Sequence, residues 1–168
     1  MKTLMLLMLC LGAIQAYSIE VGQPAPDTAL PSTSGKTVKL SDFKGSWVVL
    51  YFYPKAFTPG CTAESCSLRD ANDEIKQRGA VILGVSADDL EVQKQFKAKH
   101  NMPFDLLSDS NRQMAKAFKV LALGGLFTQR KTFILNPDGQ IAYIFDQVNP
   151  AMHSQQVLTI LKQLQAKK

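Results

Sequence analysis

Two cysteines five residues apart, Cys61 and Cys66, carry the most reactive side chains of the sequence. Residues 48–53 form a continuous apolar run that predicts a buried strand, and apolar residues recur at helical spacing over 68–75. Cys61 is therefore predicted in or just before the first turn of a helix. A thiol reacts as its thiolate, and a helix N-terminus stabilises negative charge through free N–H groups and partial positive charge.

The three residues immediately before Cys61 fit a helix start. Thr58 is the predicted N-cap and Pro59 the first helical residue. The Thr58 hydroxyl can also donate to the thiolate and orient a bound oxygen, and the two roles are compatible. Gly60 lets the backbone approach a small substrate closely.

The cysteine pair has two interpretations. In an exported protein, Cys61 and Cys66 first suggest a structural disulfide. On one regular helix, however, five residues correspond to a rise of about 7.5 Å and a rotation of about 140°. That rise exceeds the Cα separation of about 7 Å that a disulfide tolerates. If the helix reaches Cys66, bridging requires its first turns to unwind, which is typical of a transient catalytic disulfide.

Residues 1–18 are predicted to be a secretory signal peptide. Lys2 precedes an apolar segment over 4–14, and small residues at Ala16 and Ser18 mark a cleavage site. The apolar segment is too short for a typical membrane span. Cleavage after Ala16 and an uncleaved N-terminal anchor are the alternatives. Export predicts a periplasmic protein in a Gram-negative source and a secreted one otherwise.

Residues 19–168 are predicted to form one domain, since about 150 residues suffice for a full core. Removing Lys2 from the full chain, whose formal charge is +5, leaves +4. These charges are scattered, without a basic run, which argues against nucleic acid as a partner.

The order of predicted elements favours an α/β sandwich with a mixed central sheet flanked by helices and preceded by an N-terminal hairpin. The first half of the chain is expected to contain a hairpin with its turn at 32–36 and a strand at 37–40, a helical turn at 41–45, the strand at 48–53, and a helix from Thr58 that Gly79 closes. A strand at 81–86, a helix that is capped by Asp88 or Asp89 and ends near His100, a short strand at 104–107, and a helix opened by Asp109 or Ser110 are expected next. The last part is expected to contain a loose stretch at 121–126, antiparallel strands at 131–135 and 140–145, and a helix from about His153.

The pattern Pro54-x-x-x-Thr58-x-x-Cys61, with Pro59-Gly60 inside it, resembles the signature of the peroxiredoxins. A second cysteine five residues on resembles the Q-type subgroup, the bacterioferritin-comigratory-protein-like enzymes. The likeness extends from about residue 21 to 161 and includes segments 84–86, 103–109 and 130–134. One departure is Ala56, where many relatives carry an acidic residue; we expect slightly altered loop electrostatics.

The resemblance implies a thioredoxin-like fold and the reduction of hydrogen peroxide and organic hydroperoxides without metal or organic cofactor. Cys61 would be the peroxidatic cysteine and Cys66 the resolving cysteine. Thr58 would bind the peroxide and the thiolate, Pro54 would shield the sulfur, and Arg130 would stabilise the thiolate. A thioredoxin-like protein or another dithiol would reduce the resulting Cys61–Cys66 disulfide. With the resolving cysteine in the same chain, we expect a monomer.

The residues themselves leave some of these roles open. Arg130 stays protonated and donates in a planar fork, which suits a thiolate partner, but it also fits an ordinary surface arginine at a strand end. Glu64, one turn after Cys61, can orient Arg130 or simply favour the first helical turn. His100 and His153 lack the spacing of a zinc site and are predicted to be structural.

Two other functions compete with the peroxidase. A thiol–disulfide oxidoreductase on the same fold would have a Cys-x-x-Cys pair, which is absent, and would leave Thr58 and Arg130 without a role. A secreted, non-enzymatic binding domain would hold Cys61 and Cys66 in a permanent disulfide.

Overall fold

The structure is a computed structural model that describes residues 19–166, so the predicted signal peptide lies outside the described residues. The strands are β1 (Leu30–Pro31), β2 (Thr37–Val38), β3 (Trp47–Phe52), β4 (Ala80–Ser86), β5 (Asp105–Ser108), β6 (Leu121–Ala122), β7 (Phe127–Thr128), β8 (Lys131–Leu135) and β9 (Ile141–Phe145). The α-helices are α1 (Pro59–Asp70), α2 (Asn72–Gln77), α3 (Leu90–Lys99), α4 (Gln113–Ala117) and α5 (His153–Gln165). Short 3-10 turns lie at Leu40–Phe43, Leu123–Gly125 and Pro150–Met152.

Five strands form the central sheet in the order β5-β4-β3-β8-β9. The pairs β3–β4 and β4–β5 are parallel, whereas β3–β8 and β8–β9 are antiparallel. This confirms the predicted mixed sheet, and the antiparallel pair β1–β2 confirms the N-terminal hairpin, although each strand has only two residues. All six residues of β3 are buried, which explains its unbroken apolar sequence.

Alternation along β3 divides the core into two clusters. Val49 and Tyr51 point to the cluster that contains Cys61 and is covered by helices including α1 and α5. Val48 and Leu50 point to the opposite cluster, which contains residues of α4 and the N-terminal hairpin. Successive side chains of a strand face opposite sides of the sheet, so the period-2 geometry of β3 places the thiol on one defined face.

The helix predicted from Thr58 to Gly79 is in fact two helices. The chain leaves helical geometry at Ala71 (φ −98°, ψ 4°), and α2 begins at the next residue. Asp73 and Glu74 lie in the first turn of α2, where negative charge is favourable. The sequence thus carries a second helix start that the continuous apolar spacing concealed.

Further predictions need correction. Residues 121–126, predicted to be loose, contain β6 and a 3-10 turn, and β6 pairs with β7 as a small hairpin. Asp89 does stand at the N-cap of α3, but its side chain makes no capping hydrogen bond. α4 begins at Gln113, later than the predicted start at Asp109 or Ser110, although the Asp109 carboxylate accepts the N–H groups of Met114 and Ala115 in α4. Within residues 19–166, no helix is both long and apolar enough to cross a membrane.

Candidate active site

Cys61 is the third residue of α1, and its side chain is almost wholly buried at 1% exposure. Thr58 occupies the N-cap position and Pro59 opens the helix, as predicted. The bond from the Thr62 N–H to the Thr58 carbonyl begins the helical ladder, at 2.9 Å. The N–H groups of the first turn have no helical acceptor, so their partial positive charge lies at the sulfur.

Arg130 lies just before β8 and contacts both acidic groups of the site. Its Nη2 donates to Cys61 Sγ at 3.3 Å, and its Nη1 donates to the carboxylate of Glu64. Burial acts to lower the pKa of Arg130, but the neighbouring Glu64 and Cys61 hold that pKa above its ordinary value. The guanidinium is therefore a fixed positive charge against the thiol.

Gly60 makes room for this guanidinium. A Cβ at Gly60 would lie 3.1 Å from Arg130 Nη2, closer than ordinary van der Waals contact. The sequence predicted that Gly60 permits the close approach of a substrate; the close approach that the structure shows is that of Arg130.

Glu64 is fully buried beneath the guanidinium. Burial raises the pKa of Glu64 to about 7, and Arg130 opposes that rise. One carboxylate oxygen pairs with Arg130, while the other, Oε1, has no hydrogen-bond partner and lies 3.9 Å from Nε2 of His153. Glu64 is thus placed to orient Arg130, the alternative that its position in the sequence left open.

His153, predicted to be structural, lies next to this ion pair. Its Nδ1 faces Gln156 Oε1 at 3.2 Å and its Nε2 faces the Thr132 hydroxyl at 2.8 Å. Burial lowers the pKa of His153 to about 4. An amide oxygen only accepts, so Nδ1 carries the proton and the neutral ring accepts from Thr132 at Nε2. Only tertiary packing brings this histidine to the site, and the sequence carries no local signal for it.

The loop before α1 differs from the prediction at Thr58. The Thr58 hydroxyl donates to the Lys55 carbonyl at 2.9 Å and makes no capping bond. Phe57 between them has a φ of 64°, a left-handed conformation that is strained for an aromatic residue. Pro54 is exposed where β3 leads into the loop. The hydroxyl is near the helix start, with its proton engaged and its lone pairs free to accept.

Asp88 anchors the loop, a role that the sequence did not reveal. Its carboxylate accepts the Ala56 N–H at 2.7 Å and the Ser86 hydroxyl at 2.8 Å. Since Ser86 ends β4, the carboxyl ends of β3 and β4 are joined through this aspartate. Ala56 itself is 4% exposed and packs in the core cluster of Cys61, so its side chain does not face solvent.

Cys66 is half-buried on the same helix as Cys61, and both thiols are free. The helix break is at Ala71, so α1 is continuous from one cysteine to the other. Five helical residues separate the Cα atoms by about 7.5 Å along the axis, beyond the reach of a disulfide. Cys66 Sγ instead lies 3.9 Å from Nδ1 of His100. Among residues 19–166, no group of three His, Cys, Asp or Glu side chains is arranged to hold a metal ion.

Comparison with known proteins assigns the family. The profile of the AhpC/TSA family matches residues 21–144. Peroxiredoxin Bcp of Bacillus subtilis is 43% identical over 156 residues, which cover 89% of this chain and 99% of that protein. Peroxiredoxin Bcp of Escherichia coli K12 is 39% identical over 151 residues, or 86% of this chain and 97% of the relative. The structure of the bacterioferritin comigratory protein of Xanthomonas campestris, described with its alkyl peroxide reduction activity, superposes with a TM-score of 0.80 at 34% identity, over 86% of this chain and 98% of that one. The chain therefore belongs to the AhpC/TSA family, as a thioredoxin-like peroxiredoxin of the Bcp or Q type, a class of thiol-dependent peroxidases.

Proposed function

We propose that this peroxiredoxin reduces hydrogen peroxide and organic hydroperoxides with Cys61 as the peroxidatic cysteine and Cys66 as the resolving cysteine. The observation that carries the proposal is the environment of Cys61 Sγ. The sulfur lies in the first turn of α1 and accepts a hydrogen bond from Arg130 at 3.3 Å. Both features place positive charge at the sulfur that acts as the nucleophile. The named activity of the Xanthomonas campestris relative supports organic hydroperoxides as substrates.

In the first step, the Cys61 thiolate attacks the terminal oxygen of the peroxide. A sulfur–oxygen bond forms, the oxygen–oxygen bond breaks, and hydroxide or alkoxide leaves, so that Cys61 becomes a sulfenic acid. Arg130 and the N–H groups of the first turn stabilise the charge that develops on the peroxide oxygens. The Thr58 hydroxyl can accept a hydrogen bond from the peroxide while it donates its own proton to the Lys55 carbonyl. It can also give up its bond to Lys55 and donate to the peroxide instead.

In the second step, the first turns of α1 unwind and the Cys66 sulfur attacks the sulfenic sulfur of Cys61. The disulfide forms and water leaves. A dithiol reductant, such as a thioredoxin-like protein, then restores both thiols by thiol–disulfide exchange. The continuity of α1 across both cysteines supports this order, because the bond has to follow the unwinding.

Thiol counting tests the proposal against its rivals. The reduced protein receives one equivalent of hydrogen peroxide, and free thiols are counted before and after. The proposal requires rapid loss of Cys61 and Cys66 together in the wild type. Cys61→Ser, the matched control, keeps its remaining thiol. A disulfide that persists after treatment with a reductant would instead identify a structural bridge.

We also propose that the chain is exported and loses residues 1–18. The support is the sequence of that segment, with Lys2, the apolar stretch and the small residues before Ile19. The mass of the protein from the periplasm or medium tests it, and a mature chain starting at Ile19 or Tyr17 is expected. Full-length protein held in the membrane fraction would identify an uncleaved anchor.

A further inference from the structure

His100 is the one ionisable ring in contact with the resolving thiol among the described residues. It follows the last residue of α3, and its Nδ1 lies 3.9 Å from Cys66 Sγ, the outer limit of a sulfur hydrogen bond. Its ring packs edge-on against Phe96, with centroids 5.1 Å apart, which holds its orientation toward α1. The proposed second step needs an acceptor for the Cys66 proton, and none of the residues around Cys61 reaches that sulfur.

The charges around His100 keep it neutral and available. Partial burial lowers the pKa of His100, and the cations Lys99, next to it on α3, and Arg69, on α1, lower it further. Arg69 also donates from Nη1 to the His100 carbonyl at 2.9 Å and pairs with Asp70. The uncharged ring offers a lone pair to the thiol, while Arg69, three residues after Cys66, offers a positive charge to the thiolate that results.

We propose that His100 is the general base of the resolving step, a catalytic residue that accepts the thiol proton of Cys66. This inference rests on the proposed function, in which Cys66 is the resolving cysteine. The S–H proton moves to Nδ1 of His100 while α1 is still helical. As α1 unwinds, the Cys66 thiolate attacks the sulfenic sulfur of Cys61. The sulfur–sulfur bond forms, the sulfur–oxygen bond breaks, and hydroxide leaves; the imidazolium releases its proton to solvent, so that the net product is one water.

The first test needs no peroxide and is independent of the proposed function. In a Cys61→Ser background, the rate at which iodoacetamide alkylates Cys66 reports the thiolate fraction. With His100 present, the rate follows the ionisation of an imidazole whose pKa lies below its ordinary value. His100→Gln should remove that dependence and slow alkylation at neutral pH about tenfold. Lys94→Gln, which removes an exposed cation of α3 away from His100, is the matched control. An unchanged rate and profile in His100→Gln would overturn the proposal.

The second test follows both steps of the reaction in the otherwise wild-type chain. Quenched-flow mass spectrometry measures the appearance of the sulfenic acid and its conversion to the disulfide. His100→Gln should slow the conversion about tenfold more than the appearance. Equal slowing of both steps would show a structural role and overturn the proposal. If the wild type forms no sulfenic acid, the proposed function fails, whereas the alkylation result stands on its own.

Discussion

At the scale of single residues, the site depends on one guanidinium with two acidic partners. Arg130 directs Nη2 to Cys61 and Nη1 to Glu64, so the two bonds fix the plane of the fork. Gly60 allows that plane to lie close to the helix start. A lysine would keep the charge but lose the two directed donors, because an ammonium is a point charge on a flexible chain.

Arg130→Gln should slow the reaction of Cys61 with hydrogen peroxide about a hundredfold, since one donor to the developing charge and the fixed positive charge are both lost. Arg130→Lys should lie between this variant and the wild type. The rate is measured by quenched-flow thiol counting. Lys131→Gln is the control, because its ammonium pairs with the exposed Asp146 and not with the site. A full rate in Arg130→Lys would show that charge alone is enough.

At the scale of elements, α1 combines an activating N-terminus with weak attachment. Its buried side chains are Cys61, Glu64, Ser65 and Leu68, so little apolar area holds the helix to the sheet. Hydrogen bonds hold its middle, one between the hydroxyls of Ser65 and Tyr51 at 3.0 Å and one from the Ser67 hydroxyl to that of Ser154 at 2.9 Å. Helices owe most of their stability to packing of an apolar face. Little apolar packing therefore opposes the unwinding of the first turns that the proposed mechanism requires, although the bonds of Arg130 to Cys61 and Glu64 have to open with them.

Cys66→Ser should accumulate sulfinic acid at Cys61 after a pulse of excess peroxide, whereas the wild type should largely form the disulfide. The reason is competition, because a sulfenic acid that no thiol captures reacts with a second peroxide. Mass spectrometry of the Cys61 peptide measures the product, and Cys61→Ser controls for oxidation elsewhere. Equal sulfinic acid in the wild type and in Cys66→Ser would contradict the role of Cys66.

Local sequence patterns predicted the elements well, and contacts between distant segments decided the rest. The apolar run at 48–53 predicted β3, and the turn at 136–139 predicted the two strands around it, β8 and β9. The predicted bounds of all three strands agree with the structure to within one residue. The junction at Cys61 followed from Thr58 and Pro59. His153 and Asp88 reach the site only because α5 and the end of β4 pack against it, and no spacing in the sequence encodes such contacts.

Glu64 on α1 and His153 on α5 make opposite contributions to the pH dependence of the free energy of unfolding. Burial raises the pKa of Glu64 from 4.5 to about 7, so its contribution to stability is full below pH 4.5 and is lost as pH rises through 7. Burial lowers the pKa of His153 from 6.5 to about 4, so its contribution is present above pH 6.5 and is lost as pH falls through 4. Each amounts to about 3 kcal/mol, and in the wild type they offset each other.

Single substitutions should separate the two contributions. Relative to the wild type, the free energy of unfolding of Glu64→Gln should rise by about 3 kcal/mol between pH 4.5 and 7. That of His153→Gln should fall by a similar amount between pH 4 and 6.5. Urea denaturation at several pH values measures both, with the double variant as control. Parallel curves for all four proteins would show that neither group titrates abnormally.

At the scale of the whole molecule, one sheet and one helix position both thiols and the guanidinium of Arg130 within a single chain. β3 directs the chain to the loop at Cys61, and β8 starts where Arg130 meets the sulfur. Because β3 and β8 are neighbours in the sheet, the thiol and its guanidinium partner are fixed by one pairing. The second thiol follows on α1, so the proposed reaction requires no residue from another copy.

We therefore expect the protein to remain a monomer through its catalytic cycle. After one equivalent of peroxide, the intact mass should fall by the two hydrogens of an intramolecular disulfide, because Cys66 approaches Cys61 by unwinding of a helix they share. Light scattering on reduced and oxidised protein should give the mass of one chain in both states. Cys66→Ser and Cys61→Ser mixed in equal amounts provide the control, since neither can form the internal bond. A covalent dimer in the oxidised wild type would show that resolution occurs between chains.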